Sequence, residues 1–163
     1  MSFTLATLKS TVQDYLQVNE TTFNDNLDEF IRESEDRIFS MVQLPEQRKN
    51  VQGTMSLNNR FLATPSDFYA PFSVAVISSN IYSYLMFKHP SFIKEYSPDT
   101  TVTGQPKYYS LFDDTAFEVA PVPDANYTVE LHYLYKPASL TSGASSGTTL
   151  LSTKYSDALL YGT

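Results

Sequence analysis

The sequence predicts an α+β chain: an N-terminal helical pair, an antiparallel β-sandwich and the start of a C-terminal helix. Three observations carry this. Apolar residues recur at helical spacing up to Leu44-Pro45; two-residue alternation takes over afterwards and is clearest in Tyr127–Tyr135; a helical segment, Ser156-Asp-Ala-Leu-Leu-Tyr161, opens just before Thr163. These changes of period set boundaries of 1–45 for the helical part, 46–138 for the sandwich, and 139–163 for a flexible loop leading into the last helix.

The first helix is expected from Thr4 to Leu16, with Leu5, Leu8, Val12, Tyr15 and Leu16 on one face and Thr4 as N-cap. A polar connector, Gln17 to Asp25, follows. Asn26 with Glu29 three residues later predicts the start of a second helix reaching Val42, with Leu27, Phe30, Ile31, Ser34, Ile38 and Phe39 along its apolar stripe. Its outer face is assigned Arg32, Glu33, Glu35, Asp36 and Arg37, spaced for i,i+4 ion pairs worth a few tenths of a kcal/mol each. A solvated helix face explains these carboxylates better than acid–base chemistry does.

After Pro45 two hairpins are expected, the first because consecutive Asn residues tolerate the left-handed backbone of a tight reversal, the second with Ile81–Phe87 long enough to be read as helical instead. One joins Val51–Leu57 to Arg60–Ala63 through Asn58-Asn59, and one joins Phe72–Ile77 to Ile81–Phe87 through Ser78-Ser79-Asn80. Ser91–Tyr96 has room for a turn or two of helix. Gly104–Pro137 reads as a three-strand meander broken at Asp113-Asp114 and at Pro121–Asn126, since Pro removes a ladder donor and Asp or Asn suits a turn. Ser139–Thr149, rich in Ser, Gly and Thr, reads as flexible. One isolated turn at Ser156–Tyr161 would not be stable, so it either docks on the body or belongs to a polypeptide that continued; the favoured reading is a truncated chain.

Composition narrows the function. There is no cysteine, which removes disulfides, thiolate metal sites and cysteine nucleophiles, and no stretch approaches the roughly 18 apolar residues of a spanning helix. The chain therefore reads as soluble and without a cleaved signal. Eighteen acidic against 11 basic residues give a net charge of −7, which argues against direct binding of duplex DNA. Twelve Tyr and 11 Phe without a Trp suit strands half-buried against another protein, or equally an aromatic sandwich core.

Few residues offer chemistry. His89 beside Pro90 and His132 on the polar face of a strand are read as structural, since no element links them into a ligand set. Asp113-Asp114 lacks the alternating oxygen ligands of a calcium loop, and Gly143–Gly147 lacks the Lys and the strand-to-helix context of a phosphate loop. No metal, cofactor or catalytic residue is expected, and the chain is read as no enzyme.

The succession of an N-terminal helix, Phe30-Ile-Arg-Glu-Ser-Glu-Asp-Arg-Ile-Phe39, Thr64-Pro-Ser-Asp-Phe68, Gly104-Gln-Pro-Lys-Tyr-Tyr109, Ala120–Tyr133 and Leu151–Gly162 resembles the head-to-tail adaptor proteins of tailed bacteriophages. The resemblance covers essentially the whole chain. It implies a structural virion protein at the head–tail junction, made in the bacterial host cytoplasm. In such a connector subunit a β-sandwich is inserted into a helical part, and about twelve copies form a ring between the portal protein and the tail or neck proteins. It also implies a long C-terminal helix beyond Thr163, where most portal-docking residues would lie.

An acidic ring would let DNA pass without specific binding, because like charge repels phosphate. Closing a ring head to tail needs two different patches on each subunit. The outer helix face, with Arg32, Glu33 and Asp36, and the tyrosines Tyr133, Tyr135, Tyr155 and Tyr161 are the candidate subunit or partner contacts. The competing reading is a glycan- or receptor-binding β-sandwich with exposed Tyr rings. A hydrolase built on Asp113 or Glu118 ranks lower, since neither has a partner base or nucleophile.

Overall fold

A computed structural model describes residues 2–163. They divide into two compact units, one formed by the chain up to Glu46 together with Pro137–Thr163, the other by Gln47–Lys136.

In the helical unit, α1 spans Leu5–Leu16 and is started by a capping box. Thr7 N–H donates to Thr4 Oγ1 at 3.2 Å while Thr4 N–H donates to Thr7 Oγ1 at 2.8 Å, satisfying two otherwise orphaned donors. The second helix, α2, runs Thr21–Met41 and so begins well before the expected Asn26. Its N-cap, Glu20, makes no side-chain cap bond. Tertiary contact does the work instead: Gln13 Nε2 donates to Asn24 Oδ1, and Lys9 Nζ lies 2.8 Å from Asp28. Asn26 spends its side-chain N–H on Thr22 O one turn back, inside the helix.

Two short helices, α4 (Leu150–Lys154) and α5 (Ser156–Gly162), complete this unit after a 3₁₀ turn at Leu140–Ser142. The helix α4 was not expected, although Thr149 and Ser152 form a second capping box. The apolar positions of α1 and α2 meet those of the returning segment in one core of Leu8, Val12, Leu27, Ile31, Leu151 and Leu159. Isolated turns as short as α4 and α5 owe their stability to this burial. Phe30, expected on the inner stripe, is exposed and rests against Phe23, with ring centroids 6.1 Å apart.

The β unit holds two four-stranded sheets. Its strands are β1 (Arg48–Met55), β2 (Phe61–Ala63), β3 (Phe68–Ser78), β4 (Ile81–Tyr84), β5 (Met86–Phe87), β6 (Tyr108–Leu111), β7 (Ala116–Ala120) and β8 (Tyr127–Tyr135), with α3 (Pro90–Tyr96) after β5. One sheet has the order β1-β8-β3-β4 and is antiparallel throughout; the other has the order β2-β7-β6-β5, with β5 parallel to β6. The inner faces enclose Val74, Val76 and Leu131 from the first sheet against Leu62, Phe117 and Val119 from the second.

The β3–β4 hairpin forms as expected, with Ser78 opposite Ile81 and the loop residues Ser79 and Asn80 at φ 49° and 62°. The other two expectations of local pairing are overturned. β1 and β2 do not form a hairpin: β1 pairs with β8 and β2 with β7. The third strand of the meander, β8, leaves β6 and β7 for the opposite sheet. Both connections, Ser56–Arg60 and Pro121–Asn126, are too long for a two-residue reversal and cross the layer gap of about 10 Å instead. They brace each other there, Asn58 N–H donating to Pro123 O and Leu57 N–H to Asn126 Oδ1.

Candidate functional site

The histidines have local structural surroundings. His89 caps α3, its Nδ1 accepting from Ser91 N–H at 3.3 Å and lying 2.7 Å from Ser91 Oγ. His132 is half-buried on β8 opposite Asn50 of β1 and Ser73 of β3. Asp113 accepts from both the N–H and the hydroxyl of Thr115, at 2.8 and 2.7 Å, and these bonds hold its carboxyl below the ordinary carboxylate range. Glu118 is buried on β7 with its Oε1 2.7 Å from Arg60 and bonded to Lys94 of α3. Two cations from different elements thus fix the position of this carboxylate. Among the described residues no group of three or more His, Asp or Glu is placed to hold a metal ion, and no helix is long and apolar enough to cross a membrane.

The candidate contact residues separate into surface and core. Arg32, Glu33 and Asp36 lie exposed on α2, with Arg32 3.1 Å from Glu29 one turn back. Tyr161 on α5 is 79 % exposed; Tyr155 is half-buried against the helical core. Tyr135 is half-buried and carries Lys49 Nζ 4.0 Å from its ring centre. Tyr133 is corrected: at 3 % exposure it belongs to the sandwich core. Its hydroxyl donates to Asp67 Oδ1 at 2.8 Å, and burial, reinforced by the Asp67 charge, pushes the phenol up to about 12. Odd and even residues of β8 face opposite ways, and the odd face that suggested a contact surface is the one the second sheet covers.

Glu35 is a second correction. Expected on the outer face of α2, it is 2 % exposed and accepts the Leu140 N–H at 3.1 and 3.3 Å. Burial raises its pKa, partly offset by hydrogen bonds from the Ser139 side chain and the Leu140 N–H. The bonds tie the segment expected to be a flexible loop to α2. Ala6 N–H, donating to Ser145 O at 3.1 Å, holds it at a further point.

Surfaces the sequence did not single out remain apolar and open. In the helical unit, Val12, Tyr15, Leu16, Leu160 and Tyr161 line a groove between the C-terminal ends of α1 and α5. In the β unit the run Ile81–Phe87 exposes Ile81, Tyr82, Tyr84, Met86 and Phe87. The legible signal was that Ile81-Tyr-Ser-Tyr-Leu-Met-Phe87 contains no charge.

Each of the two units has its own core and leaves large apolar side chains open to solvent, a surface of the kind that suits contact with other proteins. The chain matches the SU10 adaptor protein family over residues 3–163 and belongs to it. This is a bacteriophage head-to-tail adaptor family of structural virion components, not an enzyme class. No curated protein matches the chain at a significant level.

Proposed function

We propose that the chain assembles as a ring at the head–tail junction, between portal and tail, through which DNA passes without specific binding. The family match over residues 3–163 carries this reading. The open apolar surfaces support it, since closing a ring requires two different patches on every subunit. The net charge of −7 is consistent with a lumen that repels phosphate. Arg32, Glu33 and Asp36 with Tyr135, Tyr155 and Tyr161 are the remaining proposed subunit or partner contacts; Tyr133 is no longer one of them.

A glycan- or receptor-binding role has less support, because ring pairs in the β unit such as Phe61–Phe112 and Phe92–Tyr108 meet edge to face, at 62° and 74°. In such a pair the edge of one ring is set against a face of the other, which leaves fewer faces parallel and free for stacking on a ligand. The test of the adaptor reading is an infection in which this protein is missing. DNA-filled heads without tails are expected; normally tailed, infectious particles would overturn the reading.

A further inference from the structure

Exposed sheet edges are ordinarily blunted by charge, proline, bulges or brevity, because their unpaired backbone groups template further pairing. The free stretch of β3 follows that rule, as do β2 and β5. The stretch of β3 beyond the reach of β4 carries Pro71 and two register irregularities. β2 has only three residues and β5 two, while β1 confines its charge to Arg48-Lys49 and is uncharged from Asn50 to Met55. The exception is β4 within the run Ile81–Phe87. Since β4 closes one sheet, β5 closes the other and only Leu85 separates them, this single run forms one side of both sheets. It has no charge, proline or bulge, and its five large side chains are 48–66 % exposed.

We propose that this edge is where a second copy of the chain docks, the β1 edge of the neighbour adding to β4 so that the antiparallel sheet continues from subunit to subunit. The inference rests on the ring reading above and names the seam. The first argument is topological. An antiparallel sheet of four strands has edges that run in opposite directions, so a copy presented in the same orientation meets β4 with an antiparallel β1. Simple repetition then extends the sheet head to tail.

The second argument is charge. On a chain of net charge −7, β1 contains Arg48 and Lys49 and no carboxylate, while Ile81–Phe87 contains no charge at all. Joining them brings no two acidic groups together, and it offers aromatic faces to cations that already stack on rings within the chain, Arg48 on Phe72 at 4.5 Å and Lys49 on Tyr135 at 4.0 Å. The third is area. The three on β4, Ile81, Tyr82 and Tyr84, at about 200 Å² each and half to two-thirds open, offer roughly 350 Å², a little under half of the ~800 Å² that a stable interface needs from each partner, before the strand backbones are counted.

The chain has no cysteine, so introduced thiols report the seam directly. Ser83→Cys on β4 would be combined with Val51→Cys or with Gly53→Cys on β1, two registers on the same face of the sheet. A Cβ at Gly53 meets only Val129 Cγ2, at an ordinary 3.8 Å. Phage particles made with each variant would be oxidised and the chain resolved without reductant. A ladder of multiples of 18.4 kDa in a double variant, and in neither single variant, is the expected result. Dimers from Ser83→Cys alone would overturn the proposal by showing two-fold pairing of β4. Lack of a ladder in both double variants, with the chain present in the particles, would overturn it by placing the seam elsewhere. Absence of the unmodified chain from particles would overturn the adaptor reading itself. Tyr84→Lys puts the missing charge on the edge, and it is expected to abolish the ladder with no change in urea midpoint, since Tyr84 is exposed. A ladder surviving that change would also count against the seam.

Discussion

Tyr133 and Glu35 show how burial reassigns a residue's role. Tyr133→Phe keeps the ring and removes the hydroxyl that donates to Asp67, so the β unit should lose about 1 kcal/mol in urea unfolding. Tyr133→Glu, which puts a carboxylate into the core beside Asp67, should unfold that unit, visible as loss of the β signal in far-UV circular dichroism. Glu35 has the opposite linkage to an ordinary salt-bridged acid. Its folded pKa is raised, so its contribution is fully present below the usual 4.5 and is lost as pH rises through the higher folded value. Glu35→Gln retains an acceptor for Leu140 N–H and removes that loss. Urea midpoints at pH 4.5 and pH 7 should therefore show the variant gaining on the wild type as pH rises. Asp67 and Glu46, held low chiefly by hydrogen bonds from Lys49 and Lys154, act in the other direction in both proteins and cancel in the comparison.

Among the elements, α5 depends on α2. The side chain of Ser34 is buried, and its Oγ has no hydrogen-bond partner. The missing Cβ of Gly162 is what lets α5 approach it, because a Cβ there would run into Ser34 Oγ. Gly162→Ala should destabilise the helical unit by about 1–3 kcal/mol, as overpacking does, and Ser34→Ala in the same chain should recover most of it. Additive losses in that double-mutant cycle would show that α5 docks differently. In the β3–β4 hairpin, both loop residues have positive φ, so replacing Ser79-Asn80 by Asn-Gly should raise stability by several tenths of a kcal/mol, read as a higher midpoint in urea.

At the scale of the whole molecule, the β unit is one continuous segment that starts and finishes at the same place. Its first strand residue, Arg48, pairs with Leu134 near its last, so the chain enters and leaves the sandwich on neighbouring strands. That geometry is what allows an entire sandwich to interrupt a helical unit whose core needs both Leu27 and Leu159. Residues 47–136 alone should fold with a cooperative urea transition, and the helical unit should survive replacement of that segment by a linker of about four residues. A broad, non-cooperative transition of the isolated segment would show that the sandwich needs its host.

What the sequence determined by itself was local: the Thr4 cap, the Leu5, Leu8 and Val12 face of α1 though not its expected extension to the exposed Tyr15 and Leu16, the spans of most strands, the turn before Ile81, and the order of segments that resembles the adaptors. Caps, turns and periodicities involve residues a few positions apart, and their signals survive in a single chain. Only the tertiary structure decided which sheet each strand joins. Alternation along β8 says that Tyr133 and Glu130 face opposite sides, but not that β1 and β3 will be its neighbours rather than β7. Nor does α2's pattern distinguish Glu35 from Arg32, since a charged residue looks solvated until another segment, here Ser139-Leu140, covers it. The open Ile81–Phe87 edge was readable as an uncharged run, yet its meaning came from placement at the border of both sheets. Pairing and burial depend on packing between residues distant in the chain, which local propensity does not encode.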